Sequence, residues 1–360
     1  MSHGRGGRAH NGGSEERGPA SQGAERNGTM IDQVAIIGDG QMATVCALLL
    51  AEKGVRVRMW SALCDNIEAM KATRENRRFL PGYCLPPEIT LTTDPRVVFD
   101  HAEIVISALP TQFVRPVWRQ LKGATPIGVP VCSVTKGIEN DTLMRPTQIL
   151  TDVLGPAPVA ALSGPSIAVE VAQRLPATVV AASEDLALAT AVQQLFAAQW
   201  FRVYTNTDLL GVELAGATKN VIALAAGIID GLGAGDNAKA ALLARGLAEI
   251  TRLGVALGAR PETFFGLAGV GDLVTTCISP SGRNRSAGEA IGRGRTMQEA
   301  MAATTSVIEG IPTTRSVREL ARRLDVPMPL TEAVHAVLFE GKDVLKALTD
   351  LMSRELRDEG

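Results

Sequence analysis

The sequence has few of the residues that mark metal centres or disulfide frameworks. Its four histidines are scattered, and its five cysteines are an odd number without a CxxC pair. This pattern disfavours a structural zinc site and indicates reduced thiols in a cytosolic protein. None of the histidines is well placed for catalysis, so an enzyme built on this chain would need another proton donor. No apolar run approaches the roughly 18 residues needed to cross a bilayer.

An excess of charge of either sign is also missing. The chain has 36 basic and 38 acidic residues, which excludes a global surface for nucleic acid or membranes. An anionic substrate would therefore have to be bound by a local cluster. With 360 residues, of which 46% are hydrophobic, the chain is long enough for two globular domains. Residues 1–29 contain no apolar run, and we expect them to form a disordered tail without a signal peptide.

The folded part opens with a strand, Val34 to Ile37, a glycine turn, a helix that ends at Gly54, and a second strand, VRVRMW. A GxGxxA motif in this context predicts a dinucleotide site. Gly38 would make the turn, Gly40 would let backbone N–H groups approach a pyrophosphate, and Ala43 would permit close helix packing. The alternative is a tight strand-to-helix turn without a ligand.

The residues around this motif leave the choice of dinucleotide open. Asp39 is unusual beside a pyrophosphate, and we expect its side chain to point outward. After Trp60 come Ser61, Ala62 and Leu63, which offer neither an acid for a ribose diol nor an arginine for a 2′-phosphate. The sequence therefore predicts NAD or NADP without a preference.

Two further strands end in residues that could face a ligand. Ile104 to Ala108 ends before Pro110, and GVPVCSVTKGIE ends at Lys136 and Gly137. Because ligands of open α/β sheets bind beyond the carboxyl ends of the strands, Lys136 is predicted to face a ligand. The alternative is a solvated loop charge. The turn from Ser163 to Ser166 precedes a helix and would suit an anion, or would be only a good cap.

The pattern changes from short strands to long helices near Asn206. PATVVAAS and FRVYT are predicted to close the sheet. We therefore expect an N-terminal Rossmann-like, doubly wound α/β domain over residues 30–206 and an all-α domain over residues 207–360. The second would be the substrate and catalytic domain.

Lys219 is the only charged residue from Leu214 to Ile229, a predicted helix that is apolar on nearly every face. Such a helix is normally buried, and burial lowers the pKa of a lysine toward neutrality. Lys219 is thus a candidate general acid/base. The alternative is a lysine with a buried stem whose ammonium reaches water.

Downstream, Asp272 lies in a predicted glycine-flanked turn, either as a cap or as the partner of a buried lysine. Arg283, Asn284 and Arg285 precede a helical segment. Guanidinium, amide and helix-start N–H groups in succession predict a phosphate clamp, the alternative being a basic loop in water. Glu309 lies in another Gly-flanked turn.

Together these segments resemble the bacterial type of NAD(P)-dependent glycerol-3-phosphate dehydrogenase, from about Gln33 to Leu345. The motifs that carry the resemblance are GxGxxA at Gly38, LPGYCLP at Leu80, the Pro-Thr-Gln after Leu109, TKGIE around Lys136, SGPS at Ser163, FRVYTNTDLLGVE at Phe201, KNVIA at Lys219, GDNAKAALLARGLAE, GLAGVGDL and RNR.

The resemblance implies a reversible reduction of dihydroxyacetone phosphate to sn-glycerol 3-phosphate for glycerophospholipid biosynthesis. It assigns proton transfer to Lys219, a second ammonium to Lys136 and the orientation of Lys219 to Asp272. The implied substrate contacts are Lys136, Gly164, Ser166, Lys219, Asp272, Gly282, Arg283 and Asn284. The implied cofactor contacts are Gly38, Gly40, Gln41, Met42, Ala43, Ala62, Lys136, Ala168, Arg283, Val307 and Glu309.

The chain departs from the family pattern in places. Gly282 replaces the usual serine before Arg-Asn, Gln41 and Met42 replace a small-plus-aromatic pair, and Ala62 stands where many relatives carry arginine. Two alternatives stay open: a related hydroxyacid or sugar-acid dehydrogenase, and a nucleotide-binding protein that lost the chemistry. We expect no metal, no nucleic acid, a homodimer and a cytoplasmic location.

Overall fold

The structure is a computed structural model that describes residues 31–354. The predicted disorder of residues 1–29 lies outside the described residues. An eight-stranded sheet with the order β10-β9-β8-β7-β6-β1-β2-β5 forms the first half. Its strands and the separate β3–β4 pair are β1 Gln33–Ile37, β2 Arg56–Trp60, β3 Glu75–Asn76, β4 Leu80–Cys84, β5 Ile89–Thr92, β6 Ile104–Ser107, β7 Val131–Ser133, β8 Val159–Ser163, β9 Ala177–Ala182 and β10 Phe201–Asn206.

Every neighbouring pair in the large sheet is parallel except β8 and β9, which are antiparallel. The helices are α1 Gln41–Glu52, α2 Cys64–Thr73, α3 Pro95–Phe99, α4 Thr111–Leu121, α5 Pro146–Leu154, α6 Ala168–Ala172, α7 Leu186–Phe196, α8 Leu209–Leu232, α9 Gly235–Ala256, α10 Pro261–Phe265, α11 Asp272–Ile278, α12 Arg283–Gly292, α13 Met297–Ala302, α14 Gly310–Arg323, α15 Pro329–Phe339 and α16 Val344–Met352.

The alternation of side chains along β1 explains why helices cover both faces of the sheet. Val34 and Ile36 pack in a hydrophobic cluster with residues of α1 and α7, whereas Ala35 and Ile37 pack in a second cluster with α4 and α5. Successive side chains of a strand point to opposite faces, so a fully apolar strand needs cover on both. This is the doubly wound arrangement.

The long helix α8 is the core of the second half. Asp208 begins it, because its carboxylate accepts a hydrogen bond from Gly211 N at 2.9 Å, and Gly233 ends it with a φ of 67°. By length and composition α8 could cross a membrane, which was not expected from the sequence. Its apolar window is wholly buried inside the protein, so its composition is that of a core helix.

Glycines let α12 lie directly on α8. A Cβ added to Gly227 or Gly231 of α8 would collide with the backbone of α12, and one added to Gly288 or Gly292 of α12 would collide with the backbone of α8. Such close approach is possible only where neither helix has side chains at the contact. The contact fixes the start of α12 relative to the middle of α8.

The expected fold class is confirmed: a largely parallel Rossmann-like sheet precedes an all-helical part. The helix predicted over Leu214 to Ile229 extends further at both ends. The β3–β4 pair and β5 were not predicted: β3 has only two residues, and β4 contains Pro81 and Gly82, which are unusual within a strand. The domain limits 30–206 and 207–360 stay a prediction.

Candidate active site

The glycine turn after β1 exposes backbone at the carboxyl end of the sheet. Gly38 has a φ of 122°, and its N–H donates to Trp60 O at 2.8 Å. An added Cβ there would lie 2.5 Å from Ala108 O, so only glycine fits. At Gly40, directly before α1, an added Cβ would meet nothing within 4 Å. The turn therefore leaves free space next to the N–H groups that begin α1, as a pyrophosphate requires.

The expectation that Asp39 points outward is wrong. Its side chain is buried, and its Oδ2 accepts a hydrogen bond from Asn66 Nδ2 at 2.8 Å. Burial raises the pKa of this carboxyl above its ordinary value, against the hydrogen bond from Asn66. Asn66 stabilises the inward orientation because a buried carboxylate needs a donor.

Two lysines share one carboxylate beyond the sheet. Lys219 of α8 donates to Asp272 Oδ1 at 2.6 Å, and Lys136, which follows β7, donates to Asp272 Oδ2 at 2.7 Å. The sequence analysis placed Asp272 in a glycine-flanked turn, and this is wrong. Asp272 is the first residue of α11, directly after a π-helical turn, Leu267–Gly271. The side chains of Asp272, Lys219 and Lys136 are 3%, 6% and 18% exposed, so the interactions are poorly screened by water.

The ammonium of Lys219 is inside the protein rather than in water. Besides Asp272, it donates to Thr276 Oγ1 at 2.8 Å. Burial lowers the pKa of Lys219 to about 8, with Asp272 opposing this shift and the charge of Lys136 adding to it. An amine with such a pKa populates both protonation states near neutral pH, which a general acid/base requires.

A chain of hydrogen bonds joins the loop after β7 to three helices. Asn220 Nδ2 donates to Lys136 O at 3.0 Å, and its Oδ1 accepts from Asn284 Nδ2 at 2.8 Å. Asn284 Oδ1 in turn accepts from Gly310 N at 2.9 Å. This chain holds the backbone of Lys136 against α8, α12 and α14. The position of one lysine is therefore tied to that of the other.

The predicted phosphate clamp contained two arginines, Arg283 and Arg285, and only the first of them lines the cleft. Arg283 is exposed in the cleft, where its Nη1 donates to Val307 O at 3.1 Å. Arg285 instead forms an ion pair with Asp230 at 2.6 Å and was wrongly included. Arg283 does not precede the helix but is its first residue, with Gly282 before it. Residues two apart on a helix do not share a face, which separates the two arginines.

A cleft with a cavity volume of about 480 Å³ runs between the sheet and the helices. It brings together nearly all the predicted residues. Those lining it are Gly38, Gly40, Gln41, Met42, Ala62, Lys136, Ser166, Ala168, Lys219, Asp272, Gly282, Arg283, Asn284, Val307 and Glu309. Two predicted residues do not line it. Ala43 is fully buried in α1, and Gly164 offers its carbonyl oxygen to Lys136 Nζ at 2.9 Å.

Glu309 lines this cleft with a carboxylate that is bound to the start of α4. Its Oε1 accepts from Thr111 N at the start of α4, at 2.7 Å. Its Oε2 is buried and has no hydrogen-bond partner within the part of the chain that the structure describes. Burial raises the pKa of Glu309 against the hydrogen bond from Thr111. An added Cβ at Gly137 would lie 2.8 Å from this oxygen and closer still to Thr111 Oγ1, so Oε2 faces the loop after β7. The free space at Gly40 makes the cleft suitable for a dinucleotide.

Thr276 and Arg78 are among the cleft residues that the sequence analysis missed. Thr276 binds Lys219 and lies one helical turn after Asp272, a spacing that places both on one face of α11. Arg78 comes from the loop between β3 and β4, lines the cleft and forms an ion pair with Asp65 at the start of α2. No local pattern could reveal Arg78, because its place depends on how the β3–β4 pair packs.

Comparison with known proteins gives consistent results. The chain matches the family models for the N-terminus of NAD-dependent glycerol-3-phosphate dehydrogenase, over residues 33–189, and for its C-terminus, over residues 208–349. It is 46% identical to a glycerol-3-phosphate dehydrogenase (NAD(P)+) of Pelotomaculum thermopropionicum, covering 90% of this chain and 94% of that protein. A crystal structure of a glycerol-3-phosphate dehydrogenase from Coxiella burnetii is 38% identical, with a TM-score of 0.88, over 90% of this chain and all (100%) of that one.

Proposed function

Since the chain belongs to the family of NAD-dependent glycerol-3-phosphate dehydrogenases, we propose that Lys219 transfers the proton as the chain interconverts dihydroxyacetone phosphate and sn-glycerol 3-phosphate. The observation that carries this proposal is the ion pair of Lys219 with Asp272, 2.6 Å long and inside the cleft that begins at the glycine turn. It puts an amine of suitable pKa in the same cavity as the dinucleotide motif.

Lys219 acts in both directions of the reaction. As an ammonium it donates a proton to the carbonyl oxygen of dihydroxyacetone phosphate, and as a neutral amine it accepts the proton of the alcohol. The pKa of about 8 makes either form available near neutral pH. Asp272 holds the amine in place, and Thr276 accepts a second of its N–H groups, which leaves the third for the substrate oxygen.

Lys136 supplies a second positive charge. Its ammonium binds Asp272 and the carbonyl oxygen of Gly164, and it lines the cleft. Fixed charges in a site that excludes water stabilise an oxygen that gains negative charge far better than charges in solution do. We therefore assign Lys136 to stabilising the developing alkoxide, next to Ser166 of the turn after β8.

The substrate phosphate is bound at the start of α12. Arg283 presents its guanidinium to the cleft, and Asn284 lines it. The helix begins at Arg283, directly after Gly282, with N–H groups that have no partner within the helix. Gly282 contributes backbone only. A substrate with a carboxylate but no phosphate would not require this arrangement, which favours the phosphorylated substrate over a hydroxyacid or sugar acid.

The cofactor is held along the other part of the cleft. Gly38, Gly40 and the start of α1, with Gln41 and Met42, would bind the pyrophosphate, and Ala62 would lie near the adenine ribose. Ala168, Val307 and Glu309 line the cleft toward the lysines. When bound, the cofactor supplies or accepts the hydride. The charged groups and the catalytic amine belong to the chain, which favours an enzyme over a protein that only binds nucleotides.

The direct test follows NAD(P)H absorbance with dihydroxyacetone phosphate, and with unphosphorylated dihydroxyacetone and glyceraldehyde phosphate as controls. Lys219→Met should lower kcat at least about a thousandfold, since it removes the proton donor and keeps the volume of the stem. Lys239→Met is the matched control, because Lys239 pairs with Asp230 on the far part of α8. Activity without a phosphate on the substrate would overturn the substrate assignment, and an active Lys219→Met would overturn the role of Lys219.

Three further expectations stay predictions. The product would be used for glycerophospholipid biosynthesis, because the reaction supplies a phosphorylated glycerol with two free hydroxyls for acylation. A cytoplasmic location agrees with the five free cysteines. Sedimentation velocity of the full chain would test the expected homodimer.

A further inference from the structure

The end of β2 lacks the residue that normally selects between the two dinucleotides. In Rossmann folds an acid about 20 residues after the glycine turn binds the ribose diol of NAD, or an arginine nearby binds the 2′-phosphate of NADP. Here Ser61, Ala62 and Leu63 occupy this place and line the cleft. None of the three carries a charge. Any selection between NAD and NADP must therefore come from another part of the fold.

Arg78 reaches this place from another part of the chain. It belongs to the loop between β3 and β4 and lines the same cleft as Ser61, Ala62 and Leu63. Its Nη1 lies 3.1 Å from Asp65 Oδ2 in the first turn of α2, two residues after Leu63. The other cations that line the cleft within residues 31–354 are Lys136, Lys219 and Arg283, all in the proposed substrate site.

The loop that carries Arg78 is anchored to the glycine turn. Asn76 Nδ2 donates to Asp39 O and to Thr44 Oγ1, both at 2.7 Å, and Asn76 is fully buried. The guanidinium of Arg78 also lies 5.3 Å from the centre of the Phe79 ring. These contacts hold the loop that carries Arg78 next to the dinucleotide turn.

The carboxylates near Arg78 do not cancel its charge for a ligand. Asp65 is 75% exposed and Arg78 is 41% exposed, so water screens their ion pair and the pair is weak. A 2′-phosphate with nearly two negative charges would compete well for the same guanidinium. The carboxylate of Asp39 is bound by Asn66 and is buried, so it is not the free acid that a ribose diol requires.

We propose that Arg78 binds the 2′-phosphate of the cofactor and that this chain therefore prefers NADPH to NADH. This inference rests on the proposed function for the identity of the cofactor, but it concerns binding alone. Arg78 takes over the task that an arginine at position 62 would perform.

The kinetic test compares NADPH and NADH as reductants of dihydroxyacetone phosphate. In Arg78→Gln, which keeps a long polar side chain beside Phe79, the ratio of kcat/KM for NADPH to that for NADH should fall by about ten- to a hundredfold. Arg78→Lys should restore part of the ratio because it restores the charge. Arg77→Ala is the matched control: Arg77 is the neighbouring residue, is 69% exposed, pairs with Glu75 and does not line the cleft.

Calorimetry gives a readout that does not depend on turnover. The parent chain should bind 2′,5′-ADP at least about tenfold more tightly than 5′-ADP, and Arg78→Gln should remove this difference. A difference that persists in Arg78→Gln, or an equal effect of Arg77→Ala, would overturn the inference. If the difference depends on Arg78 but dihydroxyacetone phosphate is not reduced, the proposed function fails and the inference stands.

Discussion

The two ends of the cleft offer different groups to a ligand. At the glycine turn these are backbone groups: Gly38, Gly40 and the first N–H groups of α1. At the other end they are charged side chains: Lys219 of α8, Arg283 of α12 and Lys136 of the loop after β7.

The two ends of the cleft therefore depend on different physical properties. The turn depends on space and backbone conformation, and it tolerates no Cβ at Gly38. The lysine end depends on charges held in low dielectric by one shared carboxylate, so that small changes of charge there shift a pKa. Substitutions at the first end should therefore act on stability or cofactor affinity, and those at the second on rate and pH dependence.

Of the substitutions that distinguish the two ends of the cleft, Asp272→Asn should have the largest effect on activity. Without the carboxylate, the ammonium of Lys136 repels that of Lys219, so the pKa of Lys219 falls below about 8 and less proton donor is present at neutral pH. We expect kcat for reduction to fall about a hundred- to a thousandfold. Asp230→Asn is the control, since Asp230 also pairs with two basic residues, Lys239 and Arg285, but outside the cleft. An equal loss in both variants would show that the effect is only structural.

Arg283→Ala should act on substrate affinity. It removes the guanidinium at the start of α12, and we expect KM for dihydroxyacetone phosphate to rise by about 30- to 1000-fold, or about 2–4 kcal/mol. The matched variant is Arg293→Ala, directly after the end of the same helix, where Arg293 pairs with Glu289 and is 67% exposed. A KM that does not change in Arg283→Ala would contradict the phosphate clamp.

The two glycines of the turn should separate stability from affinity. Gly38→Ala meets Ala108 O and an unfavourable φ, so it should lower the free energy of unfolding by about 1–3 kcal/mol. Gly40→Ala has an ordinary φ of −69° and free space, so its melting temperature should not change, whereas KM for the cofactor should rise at least about tenfold. Thermal unfolding and KM would be measured for both. An unchanged KM for the cofactor in Gly40→Ala would contradict the proposal that the turn binds the dinucleotide.

Thr276→Val should have the smallest effect. It removes one acceptor from the ammonium of Lys219 and keeps the shape of the side chain. We expect kcat to fall about three- to tenfold and the pKa seen in the pH profile to decrease, because the charged form loses a hydrogen bond. In Thr275→Val the lost hydroxyl donates to Gly271 O instead, so the profile should not move. If the pH profile shifted in Thr275→Val but not in Thr276→Val, the assignment of Thr276 as the partner of Lys219 would be wrong.

The first end of the cleft was largely predictable from sequence, because its motif is local. Gly38 and Gly40 stand two residues apart between a strand and a helix, and the conformations they require follow from that context. Lys219 was also visible, as the one charge of an apolar helix. Its burial and its partner Asp272 agree with that interpretation.

The remaining features depend on packing that spans the chain. Lys136 and Asp272 are 136 residues apart, and no local pattern states that one carboxylate serves both lysines. Arg285 was misplaced because the start of α12 was set too late, and a correct start would have put Arg283 and Arg285 on different faces. Asp39 was expected outside because a carboxylate is unfavourable beside a pyrophosphate, and its partner Asn66, on α2, could not be identified from the sequence.

The pH dependence of kcat in both directions tests the role of Lys219 most directly. A buried amine with a pKa of about 8 must be protonated to reduce dihydroxyacetone phosphate and neutral to oxidise glycerol 3-phosphate. The rate of reduction should therefore fall, and the rate of oxidation rise, as the pH passes through about 8. A transition near 10.5, the ordinary pKa of lysine, or one that persists in Lys219→Met, would contradict the account.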